Sequence, residues 1–223
     1  MSEKSIAWET LKKACKGEVY LDNLHQRIYA TDASVYRSLP IAVAIPKDVS
    51  DLQHLVKFAQ QNKLSLIPRS AGTSLAGQCV GNGIVVDTSR YFTKILNVNV
   101  KNKLVRVQPG VVLDELNAVL KKHKLFFSPN TSTANRCTVG GMFGNNSSGT
   151  TSIKYGVTRD KVVASKVVLA DANEVEFRRL SNIDWLEKSK ENTLEGSIYK
   201  RFLDMKNDEH LLSSIRENFP NPK

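Results

Sequence analysis

The sequence predicts an α+β fold in two lobes, a small parallel βαβ lobe followed by a larger antiparallel lobe with helices. Three observations carry that reading. Residues 41–45 and 64–67 are short apolar runs on either side of a stretch with helical apolar spacing, the pattern of a βαβ unit. Residues 94–100 and 103–107, and later 161–170 and 174–177, are strand-like pairs separated by short polar turns, as antiparallel hairpins are. Two stretches rich in Gly, Ser, Thr and Asn, residues 67–78 and 138–149, interrupt the regular pattern.

At the start, Ile6, Trp8, Leu11 and Ala14 predict a helix over residues 5–16, ended by Gly17. The segment through Tyr36 has little periodicity and is expected to wrap the surface, with Asp32 and Ser34 making local turns. Residues 1–36 are therefore read as a helix and wrapping segment, ahead of a main domain over residues 37–180. Residues 41–45 close at Pro46 as a buried strand. Asp48 caps a helix with Val49, Leu52, Leu55, Val56 and Ala59 on one stripe. Residues 64–67 and 83–87 supply two more strands and complete the first lobe, about residues 37–90. A right-handed crossover would set the first glycine-rich stretch at the carboxyl edge of a parallel sheet, where open α/β sheets bind ligands.

The second lobe, about residues 91–180, begins with the hairpin that turns at Lys101 and Asn102. Pro109 and Gly110 then open a helix with Val112, Leu113, Leu116, Val119 and Leu120 on one side, and Leu125, Phe126 and Phe127 predict a short strand. A closing hairpin turns at Asp171, Ala172 and Asn173. Residues 181–223 form a helical extension marked by Ile183, Trp185, Leu186, Ile198, Phe202, Leu203 and Met205, ending in a linker-like Phe219-Pro220-Asn221-Pro222-Lys223.

With 223 residues, 41% of them hydrophobic, the chain can bury a proper core. There is no apolar run of about eighteen residues and no signal-peptide core after Met1, so a cytoplasmic location is expected. Cys15, Cys79 and Cys137 are odd in number and widely spaced, which suits reduced thiols. His25, His54, His123 and His210 are equally dispersed, and no metal site is expected from this spacing. The net charge of +10 admits a nucleic acid or an anionic membrane surface as partner, including peripheral contact with the inner face of a membrane. The basic residues form no block with interleaved aromatics, which counts against nucleic acid.

The first glycine-rich stretch reads as an anion cradle. Gly72 and Gly77 can take positive φ, Ser70, Thr73 and Ser74 add hydroxyls, and Arg69 adds a positive charge. Its glycines have Walker-loop spacing, but Gln78 and Cys79 stand where Lys and Ser or Thr are required. Gly81-Asn82-Gly83 begins like a dinucleotide fingerprint, yet Val86 and a strand follow in place of a helix. The second stretch, with Gly140, Gly141, Gly144 and Gly149, is read as another cradle, and two cradles suggest a long diphosphate ligand. The bland alternative is that both are surface loops of ordinary turn residues.

Taken in order, Pro68-Arg69-Ser70-Ala71-Gly72-Thr73-Ser74, the strand over residues 83–87, Val107-Gln108-Pro109-Gly110-Val111, Pro129, Thr138-Val139-Gly140-Gly141 and Lys154-Tyr155-Gly156 resemble the FAD-linked oxidase family over about residues 40–177. This is the PCMH-type, vanillyl-alcohol oxidase superfamily, and the glycolate oxidase and D-lactate dehydrogenase branch looks nearest. The resemblance implies FAD held in the cleft between the two lobes. It assigns Arg69, Ser70, Ala71, Gly72, Thr73, Ser74 and Gly77 to the pyrophosphate loop. It places Ser132, Thr133, Thr138, Gly140 and Gly141 along the flavin and ribityl side, and Asn146, Ser148, Gly149, Tyr155 and Gly156 along the same wall. A core aromatic is the alternative reading of Tyr155, behind the wall position that the motif gives it. Many relatives have Gly where this chain has Ser70 and Ala71. Thr73 stands near where some relatives tether FAD through His, and Cys137 lies one position off the Cys of bicovalent relatives, so non-covalent FAD is expected.

Family members continue into a cap domain that covers the flavin and supplies the base, and some carry iron–sulfur domains. The resemblance therefore implies the cofactor part of a larger oxidoreductase, completed by a C-terminal cap domain or partner subunit, with no catalytic residue assignable here. The implied reaction is oxidation of a small D-2-hydroxy acid by hydride transfer to flavin N5. Two alternatives are a flavoenzyme like UDP-N-acetylenolpyruvoylglucosamine reductase and a non-enzymatic basic nucleic-acid-binding module.

Overall fold

In the computed structural model, which describes residues 7–219, the chain divides into two compact units, residues 1–162 and 163–223. In the first unit, α1 (Trp8–Ala14) leads to β1 (Glu18–Tyr20), and α2 (Asn23–Ile28) follows with the Asp22 carboxylate accepting from its first amides. Then come β2 (Ala42–Ile45), α3 (Val49–Asn62), β3 (Leu66–Arg69) and β4 (Ile84–Asp87). The sheet order is β1-β2-β4-β3, with β1 antiparallel to β2 and the other pairs parallel.

Both β2 and β4 are buried at every position, as sheet strands covered on two faces must be. Asp48 caps α3 by accepting from the Asp51 amide at 3.1 Å, and Lys63 ends the helix in a left-handed conformation, φ 55. The apolar stripe of α3 meets Leu11, Ala42, Ala44, Ile84 and Val86 in the main core, with Trp8 packed at its margin. The helix expected over residues 5–16 is seen over Trp8–Ala14, while Ser5 and Ile6 lie outside the described residues. The wrapping segment holds more order than its pattern predicts, because β1 is a three-residue edge strand whose stability comes from pairing with β2 and not from periodicity.

Next, β5 (Ile95–Asn99) and β6 (Leu104–Val107) form the expected hairpin, with a register shift between Ile95 and Asn97. Helix α4 (Leu113–Lys121) lays Leu116 and Leu120 against Val105, Val107 and Phe127. The strand expected at residues 125–127 is absent. The Leu125 amide donates to the Leu120 carbonyl and the Phe127 amide to the Asn117 side chain, so the segment is tied to α4 and not to a ladder. Short helices α5 (Val139–Gly144) and α6 (Ser152–Tyr155) and a 3-10 turn (Thr158–Lys161) complete this unit.

The second unit holds the hairpin β7 (Ala164–Val168) and β8 (Glu174–Arg178), then α7 (Asn182–Lys188), α8 (Leu194–Lys206) and α9 (Glu209–Asn218). Tyr199 of α8 packs between Phe177 and Trp185, and the Trp185 indole donates to the Tyr199 carbonyl at 3.1 Å. The architecture is thus mixed helix and sheet, a four-stranded sheet with one antiparallel edge strand and two separate two-stranded antiparallel hairpins. No helix among the described residues is long and apolar enough to cross a membrane. The linker-like residues 220–223 lie outside the described residues.

Candidate functional site

Arg69 ends β3 opposite Asp87 of β4, so the first glycine-rich stretch leaves the parallel strands at their carboxyl edge. The Arg69 guanidinium donates to the Thr31 carbonyl at 2.7 Å and the Tyr29 carbonyl at 3.4 Å, and lies 5.2 Å over the Tyr29 ring. Gly72 has φ +64, and a Cβ there would stand 2.5 Å from Arg69 Nη2. The chain therefore passes directly over the charge, in a left-handed conformation that favours glycine. Gly77, φ +73, is pressed against Tyr36 in the same way.

The wrapping segment holds this loop from outside. The Ala33 amide donates to the Gly72 carbonyl at 3.0 Å, and the Cys79 thiol donates to Asp32 at 3.5 Å. Burial opposes ionisation of Asp32, but the Ser34 hydroxyl and amide together hold its carboxyl below the usual range. With the loop fixed, the backbone N–H groups of Ala71, Gly72, Thr73 and Ser74 have no hydrogen-bond partner among the described residues. The Ser74 hydroxyl donates to the Gln78 side-chain carbonyl.

The second stretch is not a cradle of amide donors. It is helix α5, and its first amides are already used: Val139 donates to Val111 at 2.9 Å, Gly140 to Pro109 at 2.8 Å and Gly141 to the Thr138 hydroxyl at 3.4 Å. Its glycines serve close packing instead. A Cβ at Gly140 would meet Pro109 Cβ at 2.4 Å, and one at Gly141 would meet Ser70 Oγ at 3.0 Å. The Thr138 hydroxyl donates to Ser70 Oγ at 2.7 Å, and Gln78 donates to Asn145 at 3.1 Å. These two bonds join the first loop to α5, so Ser70, Thr138 and Gly141 converge.

Ser132 and Thr133 lie in the turn over residues 132–136, where the Ala134 and Cys137 carbonyls accept from the Asp114 and Leu113 amides and so cap α4. The remaining wall residues sit in the segment after α5. Asn146 takes φ 47 and accepts from the Arg159 amide, while Gly156, φ +81, sits against Asp160. A Cβ at Gly149 would lie 1.5 Å from the Asn130 carbonyl oxygen. The Tyr155 ring meets Phe126 edge-on at 5.4 Å, and Ser148 is exposed.

Sequence reasoning missed the support for Arg69. The Asp87 carboxylate accepts from the Tyr29 hydroxyl and the Ser89 amide, both at 2.7 Å. Burial, and then Asp87, push the Tyr29 phenol above its ordinary range. Only strand register brings these side chains together, and no local motif announces them. Nor did spacing reveal that Cys15, Asp51 and His54 converge beside α3. A cavity of about 250 Å³ in the second unit is lined by Asp171, Glu174 and Glu195, the wrong charge for a diphosphate.

The family described as FAD binding domain matches residues 40–178. The chain belongs to that FAD binding domain family. A D-2-hydroxyglutarate dehydrogenase of Haemophilus influenzae is 42% identical over 175 residues, covering 77% of this chain and 17% of the relative. Glycolate oxidase subunit GlcD of Bacillus subtilis is 35% identical, covering 68% of this chain and 33% of its own length. The chain thus spans between a sixth and a third of these curated relatives. Among solved structures, xylooligosaccharide oxidase from Myceliophthora thermophila superposes with a TM-score of 0.68 at 27% identity, over 81% of this chain and 38% of that one. Alkyldihydroxyacetonephosphate synthase superposes with a TM-score of 0.68 at 20% identity, over 80% of this chain and 38% of that one, and shows the shared fold. The geometry suits FAD: unpaired amides at residues 71–74 over a fixed guanidinium meet the needs of a diphosphate, whose charges require several charge-assisted bonds.

Proposed function

We propose that this chain is the FAD-holding part of an oxidoreductase that oxidises a small D-2-hydroxy acid, 2-hydroxyglutarate being the candidate suggested by relatives 42% and 43% identical that are named D-2-hydroxyglutarate dehydrogenase. The observation that carries the reading is the run of unpaired amides at residues 71–74 above Arg69, inside the family match. Arg69, Ser70, Ala71, Gly72, Thr73, Ser74 and Gly77 hold the diphosphate, the amides donating and Arg69 supplying charge from behind. Ser132, Thr133, Thr138, Gly140, Gly141, Asn146, Ser148, Gly149, Tyr155 and Gly156 form the wall for the rest of the cofactor. When bound, FAD supplies a two-electron acceptor for the hydride of the substrate α-carbon. FAD is held without a covalent bond: Thr73 offers no imidazole, Cys79 and Cys137 are buried, and burial raises the Cys79 pKa and so disfavours its thiolate.

The base and the substrate pocket are assigned to a cap domain or partner subunit, and electrons leave to a carrier, with iron–sulfur centres outside these residues as one route. Exposed Phe126, Phe143 and Ile153, on segments flanking the site, support an apolar covering element. Titration of FAD against the chain, followed by acid precipitation, tests the cofactor reading. Yellow flavin is expected in the supernatant, and Gly72→Val is expected to weaken FAD by about 2 kcal/mol as its side chain displaces Arg69. Unchanged affinity in the folded variant moves the diphosphate elsewhere. Anaerobic mixing of the FAD-loaded chain with D-2-hydroxyglutarate, D-lactate and glycolate is expected to leave the flavin oxidised, and rapid bleaching places the base within these residues.

A further inference from the structure

Cys15 is the residue that ends α1, its amide donating to the Leu11 carbonyl at 3.0 Å. Asp51 and His54 stand three apart on α3, and therefore on one face of that helix. One ligand-type atom from each, the Cys15 sulfur, an Asp51 carboxylate oxygen and a His54 ring nitrogen, all lie within 4.8 Å of one another. His54 Nδ1 is sealed from solvent and has no hydrogen-bond partner among the described residues. A buried polar atom left unpaired in this way calls for a partner.

We propose that Cys15, Asp51 and His54 form a site for a divalent, thiolate-accepting cation of the zinc class, which fastens the end of α1 to α3. Sulfur, imidazole nitrogen and carboxylate oxygen are the ligand set of such ions, whereas magnesium and calcium prefer oxygen alone.

The Asp51 carboxylate is fully buried and accepts three backbone amides: Lys16 at 2.8 Å on Oδ1, and Gly17 at 2.9 Å and Lys47 at 2.8 Å on Oδ2. A carboxylate has about four acceptor directions, so Oδ1 keeps one for a metal. Those three amides explain why Asp51 is buried, but they do not explain why a thiol and an imidazole nitrogen lie within 4.8 Å of its carboxylate. Cys15 thiolate and Asp51 carboxylate together balance a 2+ charge, which a half-buried cluster requires. Binding forms a metal–sulfur bond and releases the thiol proton to solvent, with water completing the coordination. Without the ion the thiol is held protonated, since burial and the Asp51 and Asp48 charges push its pKa up to about 11. The nearby Lys16 ammonium is turned to Asp48 at 2.6 Å and does not occupy the cluster.

Chelator-stripped, reduced chain titrated with Co²⁺ tests the proposal. One equivalent is expected to produce a thiolate-to-cobalt charge-transfer absorption, displaced by Zn²⁺, and Zn²⁺ is expected to raise Tm. Cys15→Ser should abolish the absorption, His54→Gln should weaken Co²⁺ by at least about tenfold, and Cys79→Ser should leave it intact. No absorption in the wild-type chain, or absorption that survives Cys15→Ser, overturns it. Should Cys15→Ser not fold, alkylation of the wild type decides: Zn²⁺ must protect Cys15 from iodoacetamide, and an equally modified Cys15 with and without Zn²⁺ overturns the site. Asp51 is left unaltered because its three amides would lose their acceptor.

Discussion

Tyr29 joins the two charges that support the first loop: its hydroxyl donates to buried Asp87 at 2.7 Å, and its ring lies beneath the Arg69 guanidinium. Tyr29→Phe leaves that carboxylate short of a donor and is expected to cost about 1–3 kcal/mol in urea unfolding. The phenol's pKa is raised above its ordinary 10.0, chiefly by burial and then by Asp87, so the folded state keeps the proton longer than the unfolded chain. The Tyr29 contribution is therefore full below pH 10.0 and declines as pH rises past it. Wild type and Tyr29→Phe should converge in stability above that point, and a gap that widens with pH would contradict the assignment. Arg69 was legible as a positive charge in a glycine-rich loop, but its partners were not. Tyr29 lies forty residues earlier, and only the fold brings its ring and carbonyl to the guanidinium.

Helix α5 shows how an element can be located in a sequence and still be misread. Gly140, Gly141 and Gly144 look like loop residues because glycine favours turns. Yet α5 persists because Thr138 caps it and because Pro109 and Val111 carbonyls take its leading amides. Glycine here answers to what stands opposite each Cβ, a property of packing that composition cannot report. Two substitutions separate the cases. Gly149→Ala would set a Cβ 1.5 Å from the Asn130 carbonyl oxygen and should destabilise by about 3 kcal/mol or more, since backbone must move. Gly144→Ala meets nothing within 4 Å and has no positive φ, so it should be neutral or stabilise by up to about 1 kcal/mol. Chemical denaturation of both variants checks the pair. The strand expected at residues 125–127 failed for a related reason: its apolar pattern is satisfied by packing on α4, with Asn117 supplying the hydrogen bond that a neighbouring strand would have given.

The two compact units each carry one of the chain's two tryptophans. Trp8 packs on Phe58 in the first unit, and Trp185 packs on Tyr199 in the second. The apolar core clusters all fall within residues 1–162. The smaller unit has few buried side chains and is close to the size at which a domain is marginal alone. In single-tryptophan variants, Trp8→Phe and Trp185→Phe, the Trp185 signal is expected to change at lower denaturant than the Trp8 signal. Coincident transitions would show one cooperative molecule.

By itself the sequence determined the β-α-β order of the first unit, the cap at Asp48, the hairpins and the family, because apolar periodicity, capping chemistry and glycine spacing act over a few residues. Three things were decided by tertiary structure alone: the edge pairing of β1, the burial of Arg69's support on Tyr29 and Asp87, and the meeting of Cys15 with Asp51 and His54. Each depends on residues more than twenty positions apart, β1 with β2, Tyr29 with Arg69 and Asp87, and Cys15 with Asp51 and His54, where no local pattern connects them. Their adjacency follows from strand register and from how α1 seats on α3, which the summed burial of the whole core sets.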